Sequence, residues 1–144
     1  MENDLYRIVY CSRNLLGEAV DRAMTDTELQ GILNASRRNN SADAVTGALL
    51  FNHDYFAQVL EGPQASVEKT FERIQQDRRH GEVTVVDNGR ADCRYFPDWA
   101  MAHAAPASDR QAEGIAAALQ LALIKPSENG AGVLYLLKDL VAQD

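Results

Sequence analysis

At 144 residues, with 46% hydrophobic and 24% charged side chains, the chain has the size and mixture of one domain with one sizeable core. A formal net charge of −7 argues against non-specific binding to nucleic acid or anionic lipid, and no apolar run approaches the ~20 residues of a membrane span. Met1-Glu2-Asn3-Asp4 lacks a basic stretch, so no secretory signal is expected. Cys11 and Cys93 form no short-spaced motif and read as reduced thiols of a cytoplasmic protein; His53, His80 and His103 are scattered, so no metal site is expected.

In chain order, residues 5–11 read as a strand, rich in β-branched and aromatic side chains. Thr25-Asp26-Thr27-Glu28 fits a capping box, and Leu29, Ile32, Leu33 and Ser36 follow at helical spacing, predicting a helix that ends near Asn39-Asn40. Residues 44–51 and 55–61 predict two strands joined by the turn Asn52-His53-Asp54, a hairpin. Gly62-Pro63 stops the pair. Val67, Phe71 and Ile74 then mark the apolar stripe of a helix over about 64–77, with Arg78-Arg79-His80 beyond its C-terminus. Residues 83–87 predict a fourth strand and about 93–102 a fifth. The tail predicts two helices, 108–124 and 129–142, separated by Pro126.

The order β-α-β-β-α-β-β predicts an α+β, ferredoxin-like sheet. Strands one and three lie at its centre, and both main helices cover one face. Strand one alternates Ile8, Tyr10 and Ser12 against Val9 and Cys11, while strand three alternates Phe56, Gln58 and Leu60 against Ala57 and Val59. Both faces are apolar and need cover, so the tail, or a partner chain, is expected on the face opposite the helices. The division is residues 1–104 as the sheet domain and 105–144 as a two-helix tail.

Tyr10 and Gln58 are the informative pair. Alternation puts them on the helix-covered face of adjacent strands. A buried amide without partners costs ~1–3 kcal/mol, so something must meet Gln58. Tyr10 can do so in part, and Asn40 at the first helix's end adds a second amide near the same layer. Two readings stay open from spacing alone: a satisfied polar pair in a cofactor-free interaction module, or the polar rim of a site for a planar heterocycle with a carbonyl and imide edge, as flavin has. An enzyme is disfavoured, because no nucleophile–base arrangement stands near Ser12 or Ser36 and no Gly-rich phosphate loop is present.

Five segments resemble BLUF domains, the blue-light sensors that use flavin. They are Leu5-Tyr6-Arg7-Ile8-Val9-Tyr10-Cys11-Ser12, the run from Ser36-Arg37-Arg38-Asn39-Asn40 into Val45-Thr46-Gly47-Ala48-Leu49-Leu50, Phe56-Ala57-Gln58-Val59-Leu60-Glu61-Gly62, Ile74-Gln75-Gln76-Asp77-Arg78-Arg79-His80, and Phe96-Pro97-Asp98-Trp99-Ala100-Met101. The resemblance spans about 5–102. It implies a photoreceptor, not an enzyme, holding FAD or FMN non-covalently. It further implies that Tyr10 is the photochemical electron and proton donor, that Gln58 is the switching amide, and that Asn40, aided by Asn39, bonds the imide edge. Some members carry histidine where this chain has Asn39, so that contact varies. Ile32, Ser36, Val45 and Phe56 would lie near the rings, and Arg38 and Arg73 toward the ribityl or phosphate end. Asp77 would lie on the pyrimidine or ribityl side, with His80 nearby. Trp99 and Met101 would report the switch on the fifth strand. The short tail is similar to that of single-domain members without an attached output enzyme. The implied partners are copies of the chain, in a homo-oligomer, and a separate output protein.

Overall fold

The computed structural model describes residues 5–14, 31, 34, 37–38, 44–51, 55–76, 80–97, 102–104 and 109–142. Among them run the strands β1 (Leu5–Asn14), β2 (Thr46–Phe51) and β3 (Tyr55–Pro63), then helix α1 (Gln64–Gln75). Strands β4 (His80–Arg90) and β5 (Ala102–Ala104) follow, then helices α2 (Asp109–Ile124) and α3 (Pro126–Ala142). Gly31, Asn34, Arg37 and Arg38 carry helical backbone, within the stretch where the first helix is expected; its capping box and the hairpin turn 52–54 lie outside the described residues.

The sheet order is β4-β1-β3-β2-β5. The first four strands are antiparallel neighbours and β5 joins β2 in parallel. This is the ferredoxin-like order with one added edge strand. Its two central strands are buried from both sides, so strict alternation sorts their side chains into two layers. One layer holds Ile8, Val45, Leu49, Phe56, Leu60 and Val67, with Tyr6, Phe71 and Ile74 packed on it. The other holds Val9, Cys11, Ala48, Leu50, Ala57 and Val59 against the tail's Ile115, Leu119, Ala122, Val133, Leu134 and Leu137. The tail positions recur at three- and four-residue steps, the stripe of a helix lying on a sheet. Each such side chain contributes roughly 1.5–3 kcal/mol when fully buried, which makes the tail an integral cover of this face.

Two local features set how the tail lies. The β1–β4 register slips between Val9, opposite Asp87, and Tyr10, opposite Val85. The extra residue, Val86, turns its side chain into the tail-side core. Gly130 of α3 sits directly on that bulge, where a Cβ would come within 2.1 Å of the Val86 carbonyl oxygen. Only a residue without a side chain permits this approach.

Strands β1, β3 and β4 run beyond the expected 5–11, 55–61 and 83–87, to Asn14, to Pro63 and over His80–Arg90, because the ladders joining β3 and β4 to β1 continue past those ends. Gly62 and Pro63 pair with Tyr6 and Leu5 instead of stopping β3. Three further boundaries differ, each for a physical reason. Strand β2 begins at Thr46, not 44, because Ala44 has left-handed backbone (φ 60°). Among the described residues the fifth strand is Ala102–Ala104, not about 93–102. Residues 91–97 form bends and a turn, because the amides of Tyr95 and Phe96 donate to the Glu61 carboxylate instead of to a strand. The last helix starts at Pro126 rather than 129, since the first helical position needs no N–H and suits the fixed φ of proline. No helix among the described residues is long and apolar enough to cross a membrane.

Candidate functional site

Strands β1 and β3 pair so that Tyr10 stands directly opposite Gln58. The same row continues through Leu49 on β2 to the backbone of His103 on β5. Tyr10 and Gln58 are 2% and 3% exposed, so neither can rely on bulk water for its hydrogen bonds. The Tyr10 hydroxyl donates to Gln58 Oε1. With the carbonyl oxygen engaged by the phenol, the donor capacity of the amide lies at Nε2.

Apolar groups surround the pair. Phe71 of α1 lies over Tyr10 with ring centroids 5.4 Å apart and planes tilted by 52°, a favourable offset arrangement. Val45 and Phe56 are buried in the same layer. Ser12, the next residue of β1 on this face, is buried opposite Phe56, and Thr70 is buried on α1. Among the described residues, a phenol, an amide and two hydroxyls are thus buried with the apolar side chains of this layer.

Of the residues singled out in the sequence, Tyr10, Gln58, Val45 and Phe56 come together here. Arg38 and Arg73 are exposed; Arg73 Nη2 donates to Thr70 Oγ1 on its own helix at 3.4 Å. His80 opens β4, its backbone paired with Asn14. Ile32, Ser36, Asn39, Asn40, Asp77, Trp99 and Met101 lie outside the described residues. Among the described residues no cluster of His, Cys, Asp and Glu could hold a metal ion.

A second polar constellation, on the tail-side face, escaped the sequence reading. Glu61 is fully buried and directly opposite Arg7 in the β1–β3 register. Arg7 Nε and Nη2 lie 2.8 and 2.7 Å from its Oε2. The signal was available: Arg7 and Glu61 continue the alternation of Val9 and Val59, so charges at both positions must share the apolar face and pair across it. On the same face the Cys11 thiol is pushed up to about 12 by burial and stays neutral at ordinary pH.

Residues 5–102 match the family model described as sensors of blue-light using FAD. The chain is 36% identical over 84 residues to the photoactivated adenylate cyclase subunit beta of Euglena gracilis, a stretch covering 58% of this chain and 10% of that protein. It is 44% identical over 62 residues to the blue light- and temperature-regulated antirepressor BluF of Escherichia coli K12, covering 43% of this chain and 15% of that one. It therefore spans only about a tenth to a seventh of these curated relatives. Two solved structures are similar along nearly their whole length. One is the dark state of the BLUF protein BlrB, with TM-score 0.70, 28% identity, and 99% and 98% of the two chains covered. The other is BlsA in its photo-activated state, with TM-score 0.74, 25% identity, and 95% and 94% covered.

Proposed function

The chain belongs to the BLUF family of flavin-binding blue-light sensors, and from that membership we propose that it reads light at the Tyr10–Gln58 pair and signals by contact with other proteins. The observation that carries the proposal is the buried hydrogen bond from Tyr10 to Gln58 across the two central strands. The donor set suits a flavin: an amide able to donate and accept, a phenol beside it, and apolar walls for a flat ring. Within this reading Gln58 would meet flavin N5 and the C4 carbonyl, Asn40, aided by Asn39, would bond the C4 carbonyl and imide edge, and Ile32, Ser36, Val45 and Phe56 would lie near the rings. Arg38 and Arg73 serve the ribityl or phosphate end, with Asp77 and His80 nearby. FAD and FMN share the ring system these residues face. Residues 1–104 form the light-sensing unit, and 105–144 the tail through which it acts.

A bound flavin supplies blue-light absorption and a ring able to accept an electron. The chain's own residues supply the switch. Tyr10 holds its proton on Gln58 Oε1, and Phe71 and the apolar layer keep water from competing for it. When the phenol gives up an electron and that proton, the reason for the amide's orientation is gone. Gln58 can then exchange its donor and acceptor ends by rotation or tautomerisation. Return of both the electron and the proton to Tyr10 restores the phenol and leaves a different hydrogen-bond pattern on the same buried residues. Output follows as changed contact with a second copy or a separate partner protein, with the chain at least dimeric in the dark. Trp99 and Met101 stand between the site and the tail in this scheme.

The test is an absorption spectrum before and after blue light. Purified protein should be yellow, should release its chromophore on acid precipitation, and should show a small red shift that reverts in the dark. Tyr10→Phe and Gln58→Leu should keep the colour and lose the shift. A colourless protein that takes up no added flavin, or a normal shift in Gln58→Leu, refutes the reading. Light-scattering mass, dark against lit, checks the assembly claim.

A further inference from the structure

Residues 91–97, which follow β4, are tied by hydrogen bonds to other strands, beginning with the Ala91 amide, which donates to the Leu5 carbonyl at 3.0 Å. The amides of Tyr95 and Phe96 donate to the Glu61 carboxylate at 2.9 Å, and Arg7 Nη2 donates to the Cys93 carbonyl at 2.8 Å. Arg94 reaches the other way. Its guanidinium donates to Thr46 Oγ1 at 2.8 Å, to the Ala44 carbonyl at 3.0 Å and to the Glu61 carbonyl at 3.3 Å. The connector is therefore fastened at once to β1, to β3 and to the entrance of β2.

That entrance is a strained place. Ala44 has left-handed backbone, unfavourable for a residue with a Cβ and kept only where neighbours impose it. Arg94 holds its carbonyl, and Gly62 crowds it: a Cβ on Gly62 would lie 2.8 Å from the same oxygen. The stretch ending at Ala44 follows directly on Asn39-Asn40.

From this anchored connector the Tyr95 ring meets helix α3. The Arg7 Cζ lies 4.3 Å from the ring centroid and Lys138 Nζ 4.6 Å, both within cation–π range. The Tyr135 ring stacks at 6.4 Å, and a hydrogen bond with Tyr135 holds the Tyr95 phenol above its ordinary range. Tyr135 and Lys138 are three residues apart, on one face of α3. Ile115, Leu119, Ala122, Val133, Leu134 and Leu137 dock the tail by apolar packing, which is non-directional and tolerates small slides. Glu61 stands three residues beyond Gln58 on one strand, on the opposite face.

We propose that Tyr95 is a positioning residue for output: the chain of contacts Glu61, Arg7, Tyr95 and Lys138 is a clasp that fixes helix α3 to strand β3, so that a change at Gln58 alters the hold on the tail. The inference rests on the light-sensing reading above and adds a route on the tail-side face. A switch needs contacts that differ between its two states, and the clasp supplies directional ones at the sheet–tail boundary.

The experiment uses the full chain loaded with flavin, in wild type, Tyr95→Leu, Tyr95→Phe and Lys138→Gln. Visible spectra report the light site, and amide hydrogen exchange reports 91–97 and α3, dark and lit. All four proteins should show the same red shift. In the wild type, light should change exchange in α3 by about 5-fold or more. Tyr95→Leu and Lys138→Gln should lose that difference, and Tyr95→Phe, which keeps the ring, should retain it. A light-dependent difference that persists in Tyr95→Leu overturns the clasp, as does a red shift lost in that variant. Absence of any red shift in the wild type refutes the light-sensing reading instead. The clasp is then judged on dark exchange, where Tyr95→Leu must speed α3 relative to Tyr95→Phe and equal rates overturn it.

Discussion

Replacing Glu61 by leucine should destabilise the protein far more than removing an exposed charge. The carboxylate is fully buried and receives Arg7 Nε at 2.8 Å and the amides of Tyr95 and Phe96 at 2.9 Å. Its loss strands two backbone donors, each costing ~1–3 kcal/mol if they stay dehydrated. It also strands a guanidinium whose side chain is only 16% exposed. Removing one partner of a buried pair costs roughly 3–5 kcal/mol, and because these losses overlap the expected total is about 3–5 kcal/mol. That is a large share of a domain's usual ~5–15 kcal/mol. Urea unfolding followed by circular dichroism in the dark measures it. Adding Arg7→Met to Glu61→Leu should recover part of the loss, since no lone charge then remains. A Glu61→Leu loss below about 1 kcal/mol, or a double mutant as unstable as the two single losses summed, would refute the reasoning.

Two glycines of the tail should respond in opposite ways. Gly130→Val drives side-chain carbons into the Val86 carbonyl, so a loss of about 2 kcal/mol or more is expected, with faster amide exchange in α3. Gly114→Ala, where a Cβ meets nothing within 4 Å, should instead stabilise α2 by roughly 0.5–1 kcal/mol; both are read from denaturation midpoints. Iodoacetamide at neutral pH should label exposed Cys93 and spare buried Cys11 in the folded protein. Burial pushes the Cys11 thiol up to about 12 in the folded chain, from an ordinary 9.0. The folded state therefore holds this proton longer than the unfolded chain does. Its contribution to stability is intact below pH 9.0 and is lost as pH rises toward about 12, with a slope of at most ~1.4 kcal/mol per pH unit. Cys11→Ala should flatten that part of the pH–stability curve, and an unchanged slope would count against it.

The parts of the fold legible in the sequence were those governed by period. Alternation along 5–11 and 55–61 identified the central strands, and the polar positions breaking the apolar pattern, Tyr10 and Gln58, identified the pair that meets across them. Three- and four-residue spacing in the tail did the same for the helices that cover the second face. The connector was misread as strand because its residues look extended and aromatic. Its conformation is decided by a carboxylate 34 residues earlier in the chain, and no local pattern announces that. Ala44 was misread for a related reason: alanine carries no mark of left-handed backbone, which here follows from Arg94 and Gly62.

The pairing of Tyr10 with Gln58 also bears on how the protein folds. The two side chains are 48 residues apart in the chain, so their contact closes a long loop. The β2–β3 hairpin, by contrast, closes at once around residues 52–54. Loop-closure entropy favours the hairpin first and delays the central pairing. The Tyr10–Gln58 pair is then created by the late, non-local step of folding, not by any local element. A refolding chain should regain hairpin and helical signals before it can hold a chromophore. Conditions that slow strand docking should slow the return of colour in proportion.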